Sequence, residues 1–102
     1  MERTEILAML EKDIQTLGRN HNAEVSVTNV DDEGDFVGSI YKSNVPLLSD
    51  ARTLAEAYGI DPKQSVENDD SWGYIGIFVS ADTEVKEPDT MRRTLCGATR
   101  VY

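Results

Sequence analysis

A chain of 102 residues with 39% hydrophobic content can build one core and not two, so residues 1–102 are expected to form a single domain. Asp and Glu number 19 against 10 Lys and Arg, and the resulting net charge of −9 argues against nucleic acid or an anionic membrane as a partner. The lone cysteine, Cys96, excludes an internal disulfide framework and a multi-cysteine zinc site, while the lack of a signal-like start or a long apolar run leads to the expectation of a soluble cytoplasmic protein.

In chain order, "TEILAMLEKDIQTLG" sets Ile6, Leu10, Ile14 and Leu17 on one stripe at helical spacing, with Thr4 as the expected cap and Gly18 as the expected end. "AEVSVTNV" and "DFVGSIYK" alternate apolar and polar residues, which predicts a β-hairpin with the acidic stretch as its turn. "VPLLSDARTLAEAYG" returns to helical spacing, with Pro46 in the first turn, Leu47, Ala51, Leu54, Ala55 and Tyr58 on one face, and Gly59 at the end. "IDPKQSVENDDS" reads as a loop and "WGYIGIFVSA" as the clearest strand. "DTEVKEPD" is a charged loop, and the tail reads either as a strand from Thr94 onward or as a helix using Met91, Leu95, Ala98 and Val101; the strand is favoured, because Gly97 would weaken a helix while Thr94, Thr99, Val101 and Tyr102 suit a sheet. The predicted order is α-β-β-α-β-β: an α+β domain with two helices on one face of a mainly antiparallel four-stranded sheet.

The bases are mostly arginine, with lysine only at positions 12, 42, 63 and 86, and aspartate is at least as common as glutamate. In this the chain resembles small acidic proteins of haloarchaeal type. In molar salt the Debye length shrinks to about 3 Å, which screens the self-repulsion of such a surface. The resemblance is compositional, carries no motif and implies no particular activity.

"NVDDEGDF" puts Asp31 and Glu33 at the third and fifth positions of an EF-hand-like loop with Gly34 at the sixth, and Asp35 follows. The twelfth position is Ile40 rather than a bidentate acid, so Asp31, Glu33 and Asp35 are weak metal candidates and a polar hairpin turn is the expected reading. His21, the only histidine, has no nucleophile in a recognisable elbow and reads as a connector residue. Cys96 with His21 and an acid could be drawn as a thiol triad, but any chain of this length holds such a set by chance. Gly73 and Gly76 in "WGYIG" lack the lysine and helix start of a phosphate loop. Arg92 and Arg93 read as surface residues. No catalytic residue is assigned, no cofactor is expected, and enzymatic activity is not the favoured reading.

The third strand is apolar on both faces: Ile75, Ile77 and Val79 on one, Trp72, Tyr74 and Phe78 on the other. If the helices cover the aliphatic side with Val25, Val27, Phe36 and Ile40, the aromatics lie with Val37, Tyr41 and Tyr102 on a face that two helices cannot cover. Trp72, Tyr74, Phe78, Tyr41, Val37 and Tyr102 are therefore the expected partner-binding residues, used in a homodimer or a small hetero-complex. The alternatives are a tail or "DTEVKEPD" loop folded over that face, or a small-molecule cleft lined by the same rings in a sensor-like domain.

Overall fold

The computed structural model describes residues 1–29 and 34–99. Its elements run α1 (Arg3–Asn20), β1 (Val25–Asn29), β2 (Phe36–Ile40), α2 (Val45–Ala57), the single turn α3 (Pro62–Ser65), β3 (Val66–Asp69), β4 (Tyr74–Val79) and α4 (Thr90–Leu95). The strands form one antiparallel sheet in the order β1-β2-β4-β3, so the α+β class and the four-stranded antiparallel sheet are as expected. The principal extents of 33 × 31 × 21 Å fit one helical layer on one sheet, since each layer is about 10 Å thick.

The inner sheet face carries Phe36, Ile40, Ile75, Ile77 and Val79, all fully buried. Against it lie the stripes read from the two long helices: Ile6, Leu10, Ile14 and Leu17 of α1, and Leu47, Ala51, Leu54 and Ala55 of α2. Each such Leu or Ile withdrawn from water stabilises the fold by about 1.5–3 kcal/mol. Helix α1 crosses β1 and β2, and α2 crosses β3 and β4. Gly38 lets α1 approach: a Cβ there would stand 2.7 Å from Ile14 Cδ1.

Several boundaries differ from the sequence expectation. Helix α1 starts at Arg3, so Thr4 lies inside the first turn, and it continues past Gly18 to Asn20. Its end is made by Asn22 at φ 55°, with Ala23 N–H donating to the Gly18 carbonyl at 2.8 Å and Asn22 N–H to Arg19 at 3.1 Å. Gly18 instead gives Val25 room to pack, because a Cβ there would overlap Val25 Cγ2. Helix α2 is capped by Asn44, whose side chain accepts from Leu47 N–H at 2.9 Å, and Gly59 at φ 72° does end it.

The fourth strand is not the tail. Strand β3 comes from the supposed loop, where Val66 packs inward against Ile77 and the polar run after it joins the edge of β4. Residues 90–95 are helical rather than extended: Asp89 caps α4 by accepting from Met91 N–H at 2.9 Å, and Gly97 at φ 78° closes it. The Gly97 N–H donates to Thr94 O at 3.1 Å and the Ala98 N–H to Arg93 O at 2.9 Å, the paired bonds of a glycine-terminated helix. The glycine that argued against a helix is thus its stop signal. Neither α4 nor the 80–89 loop covers the outer sheet face. The loop is held to the end of α2 by Lys86 N–H to Tyr58 O and Asp89 N–H to Ala57 O, both 2.9 Å, and α4 packs on α2.

Candidate functional site

The register assigns the outer face row by row. Thr28, Val37 and Phe78 cross the sheet in one row, Ser26, Ser39, Gly76 and Glu67 in the next, and Tyr74 with Asp69 in the third. Side chains at alternate positions share a face, so these residues all point away from the helices. Tyr41, one residue past β2, continues the alternation of Val37 and Ser39, with its N–H donating to Glu24 O at 2.9 Å. Phe78 is 42% exposed and Tyr41 52%, while Val37, Ser39 and Tyr74 are half-buried.

At the centre of this face is a notch of about 190 Å³ lined by Val37, Ser39, Glu67, Tyr74, Gly76, Ile77 and Phe78. Gly76 is its floor. The Tyr74 ring leans over one side of that floor, with its Cε2 3.5 Å from where a Gly76 Cβ would stand. Loss of water around the Tyr74 phenol, then the negative charges of Glu67 and Asp69, push its hydroxyl above the ordinary tyrosine value.

The structure brings Tyr74, Phe78, Val37 and Tyr41 together on this face but separates Trp72 from them. Trp72 sits in the 70–73 hairpin loop, 82% exposed, with its N–H donating to Asp69 Oδ1 at 2.9 Å. Gly73, at φ 70°, belongs to the same turn rather than to a strand, so β4 begins only at Tyr74. Tyr102 lies outside the described residues.

The remaining sequence candidates hold the fold together. Asp31 and Glu33 lie outside the described residues, whereas Asp35 Oδ1 accepts from Ala81 N–H at 2.9 Å and so ties the start of β2 to the end of β4. Among the described residues there is no group of three or more His, Cys, Asp or Glu side chains placed to hold a metal ion. His21 is half-buried rather than a free connector: its Nε2 stands 2.8 Å from Asp50 Oδ2, and its carbonyl accepts from Lys42 Nζ at 2.7 Å. Cys96 is buried, and burial pushes its thiol above the ordinary 9.0, with the charges of Asp50 and Asp13 adding to the rise. Its Sγ lies 3.4 Å from Arg93 O, so the thiol is held protonated, the opposite of an activated nucleophile.

Two features escaped the sequence reading. Arg93 is not a surface residue: its Nε and Nη2 donate to Asp13 Oδ2 and Oδ1 at 2.7 and 3.0 Å, and Tyr58 Oη donates to Asp13 Oδ2 at 2.6 Å. Asp13 itself is buried. The signal was an acid on the apolar stripe of α1, between Leu10 and Leu17, which requires a buried partner. Arg92 is exposed as expected, 3.6 Å from Glu56. Glu67 was missed because β3 was read as a loop, so no face could be assigned to it.

Comparison of the chain with protein-family models, curated proteins and solved structures gives no match in any of the three. No helix among the described residues is long and apolar enough to cross a membrane.

Proposed function

We propose that this protein is a small non-catalytic association module of a salt-rich cytoplasm that works by docking its outer sheet face on another protein surface. The observation that carries the reading is a central sheet face lined by Tyr74, Phe78, Val37 and Tyr41, with no described element packed over it. Exposed aromatic area in the middle of a sheet gains more by burial than an exposed charged surface, and tyrosine is enriched where proteins meet.

Sedimentation equilibrium in molar potassium chloride tests it, with wild type set beside Phe78→Asp. A wild-type dimer that Phe78→Asp converts to monomer supports self-association through this face. A dimer indifferent to the substitution removes the face from the interface. A monomer in both leaves a different protein as the occupant.

The notch of about 190 Å³ specifically favours a second reading, a small-molecule sensor. It predicts that some metabolite shifts the Gly76 and Ser39 amide resonances saturably; a flat response across a broad ligand panel counts against it.

A further inference from the structure

We infer that the notch between Tyr74 and Phe78 receives a basic side chain, best an arginine, presented by a protein other than a second copy of this chain. The inference rests on the association reading and adds the chemistry of the partner. Three groups converge there. Tyr74, Gly76 and Phe78 follow one another on the outer face of β4, so two rings flank a floor that carries no side chain. Glu67 is paired with Gly76 across the β3–β4 ladder, which sets its carboxylate at the notch's edge, and Asp69 is paired with Tyr74 one row further on. Ser39 bounds the notch on the β2 side as a neutral hydrogen-bonding group.

Ring faces attract cations, and a carboxylate beside them adds charge and a hydrogen-bond acceptor. A guanidinium meets both demands, because its flat face stacks on an aromatic ring while its edge donates to a carboxylate. Glu67 at the notch and Asp69 one row away on the same face give it a negative potential that favours an incoming cation.

Among the described residues, the outer face of a second copy does not supply that cation. The rows of the described outer face contain serine, threonine, valine, glycine, aromatics, Glu67 and Asp69, and no lysine or arginine. Two such faces packed together would leave carboxylates desolvated without a base, on chains that each carry −9. A partner with a basic, partly apolar surface matches the face in both respects.

The test uses the full chain, labelled for heteronuclear NMR and held at about 0.5 M potassium chloride so that diffuse attraction to the acidic surface is screened. The probe is acetyl-Gly-Arg-Gly-amide, with the same peptide carrying citrulline as the uncharged isostere. The arginine peptide is expected to shift the Ser39, Gly76 and Phe78 amides saturably, on the order of millimolar affinity. Citrulline is expected to bind at least about fivefold more weakly, as is the arginine peptide to Glu67→Gln, while Glu84→Gln on the distant 80–89 loop changes nothing. Equal response to the two peptides, or shifts spread over acidic residues away from the sheet, overturns the inference. The sedimentation experiment keeps the parent reading separate: a wild-type dimer lost in Phe78→Asp supports association through this face while overturning a partner other than a second copy, and arginine-blind shifts on a wild-type monomer condemn only the basic partner.

Discussion

Asp13 is a carboxylate on the buried stripe of α1, held by a two-pronged contact from Arg93 and by the Tyr58 hydroxyl. Removing the base alone strands a buried charge, so Arg93→Met is expected to destabilise the fold by about 3–5 kcal/mol in urea unfolding, and Asp13→Leu together with Arg93→Met by clearly less. The same cluster sets an alkaline limit. Burial, then the hydrogen bond and charge of Asp13, push the Tyr58 hydroxyl well above its ordinary 10.0, and burial raises the Cys96 thiol from 9.0. Above those pH values the unfolded chain releases protons that the folded chain keeps, so stability is full below about pH 9 and falls as pH rises, by up to about 1.4 kcal/mol per unit for each group. The urea midpoint should drop from pH 9 upward, and Tyr58→Phe should flatten the part of the slope above pH 10. Glycines divide by what surrounds them: Gly38→Ala drives a methyl into buried Ile14 and is expected to cost about 1–3 kcal/mol, whereas Gly76→Ala makes only ordinary contact and should leave the melting temperature nearly unchanged.

Among the elements, α4 has the weakest hold on the rest. It is six residues long, and its Met91 and Leu95 stand out from the surface, 72% and 75% exposed. Attachment comes from Arg93 on Asp13, from buried Cys96 and Ala98, and from Asn20 Nδ2 donating to Gly97 O at 2.7 Å. A short helix with so few buried apolar contacts opens locally before the sheet does. Because Cys96 is covered by this docking, its alkylation rate measures the opening. Gly97→Ala, which forces a side chain into φ 78°, is expected to weaken the helix by about 1 kcal/mol and so to raise the Cys96 labelling rate about fivefold without changing the exchange protection of β4. Equal labelling of the two proteins would show that the glycine stop does not limit opening. Strand β3 is the converse case. Its glutamate, asparagine and aspartate are poor strand formers, and it is extended because β4 offers a free ladder edge and Val66 an inward anchor.

At the scale of the whole molecule, a net charge of −9 on a body 33 × 31 × 21 Å means mutual repulsion over the surface that compact folding intensifies. Raising potassium chloride from 0.1 M, with a Debye length of about 10 Å, toward 1 M, with about 3 Å, should raise the melting temperature steadily. A melting temperature independent of salt over that range would show that the acids are already neutralised by local pairing. The outer face behaves differently, since its apolar rows gain from salt while any contact at Glu67 loses. Association that strengthens with salt in Glu67→Gln but less so in wild type would show the two contributions acting on one surface.

The sequence alone determined whatever is written at periods of two and 3.6: both long helices with their buried stripes, the β1–β2 hairpin, the double-sided apolar strand β4, the α+β class and the charge. These depend on local spacing, which any fold must respect if apolar residues are to face one way. Tertiary structure decided what depends on a neighbour. Only pairing with β4 made 66–69 a strand and set Glu67 beside Gly76; only docking on Asp13 and the αL stop at Gly97 made 90–95 a helix. The turn at Gly73 took Trp72 off the aromatic face, although the alternation of "WGYIGIF" had placed it there. Hydrogen-bonding edges, buried charge partners and positive φ are supplied or tolerated by contacts distant in sequence, and no local pattern of residue types encodes them.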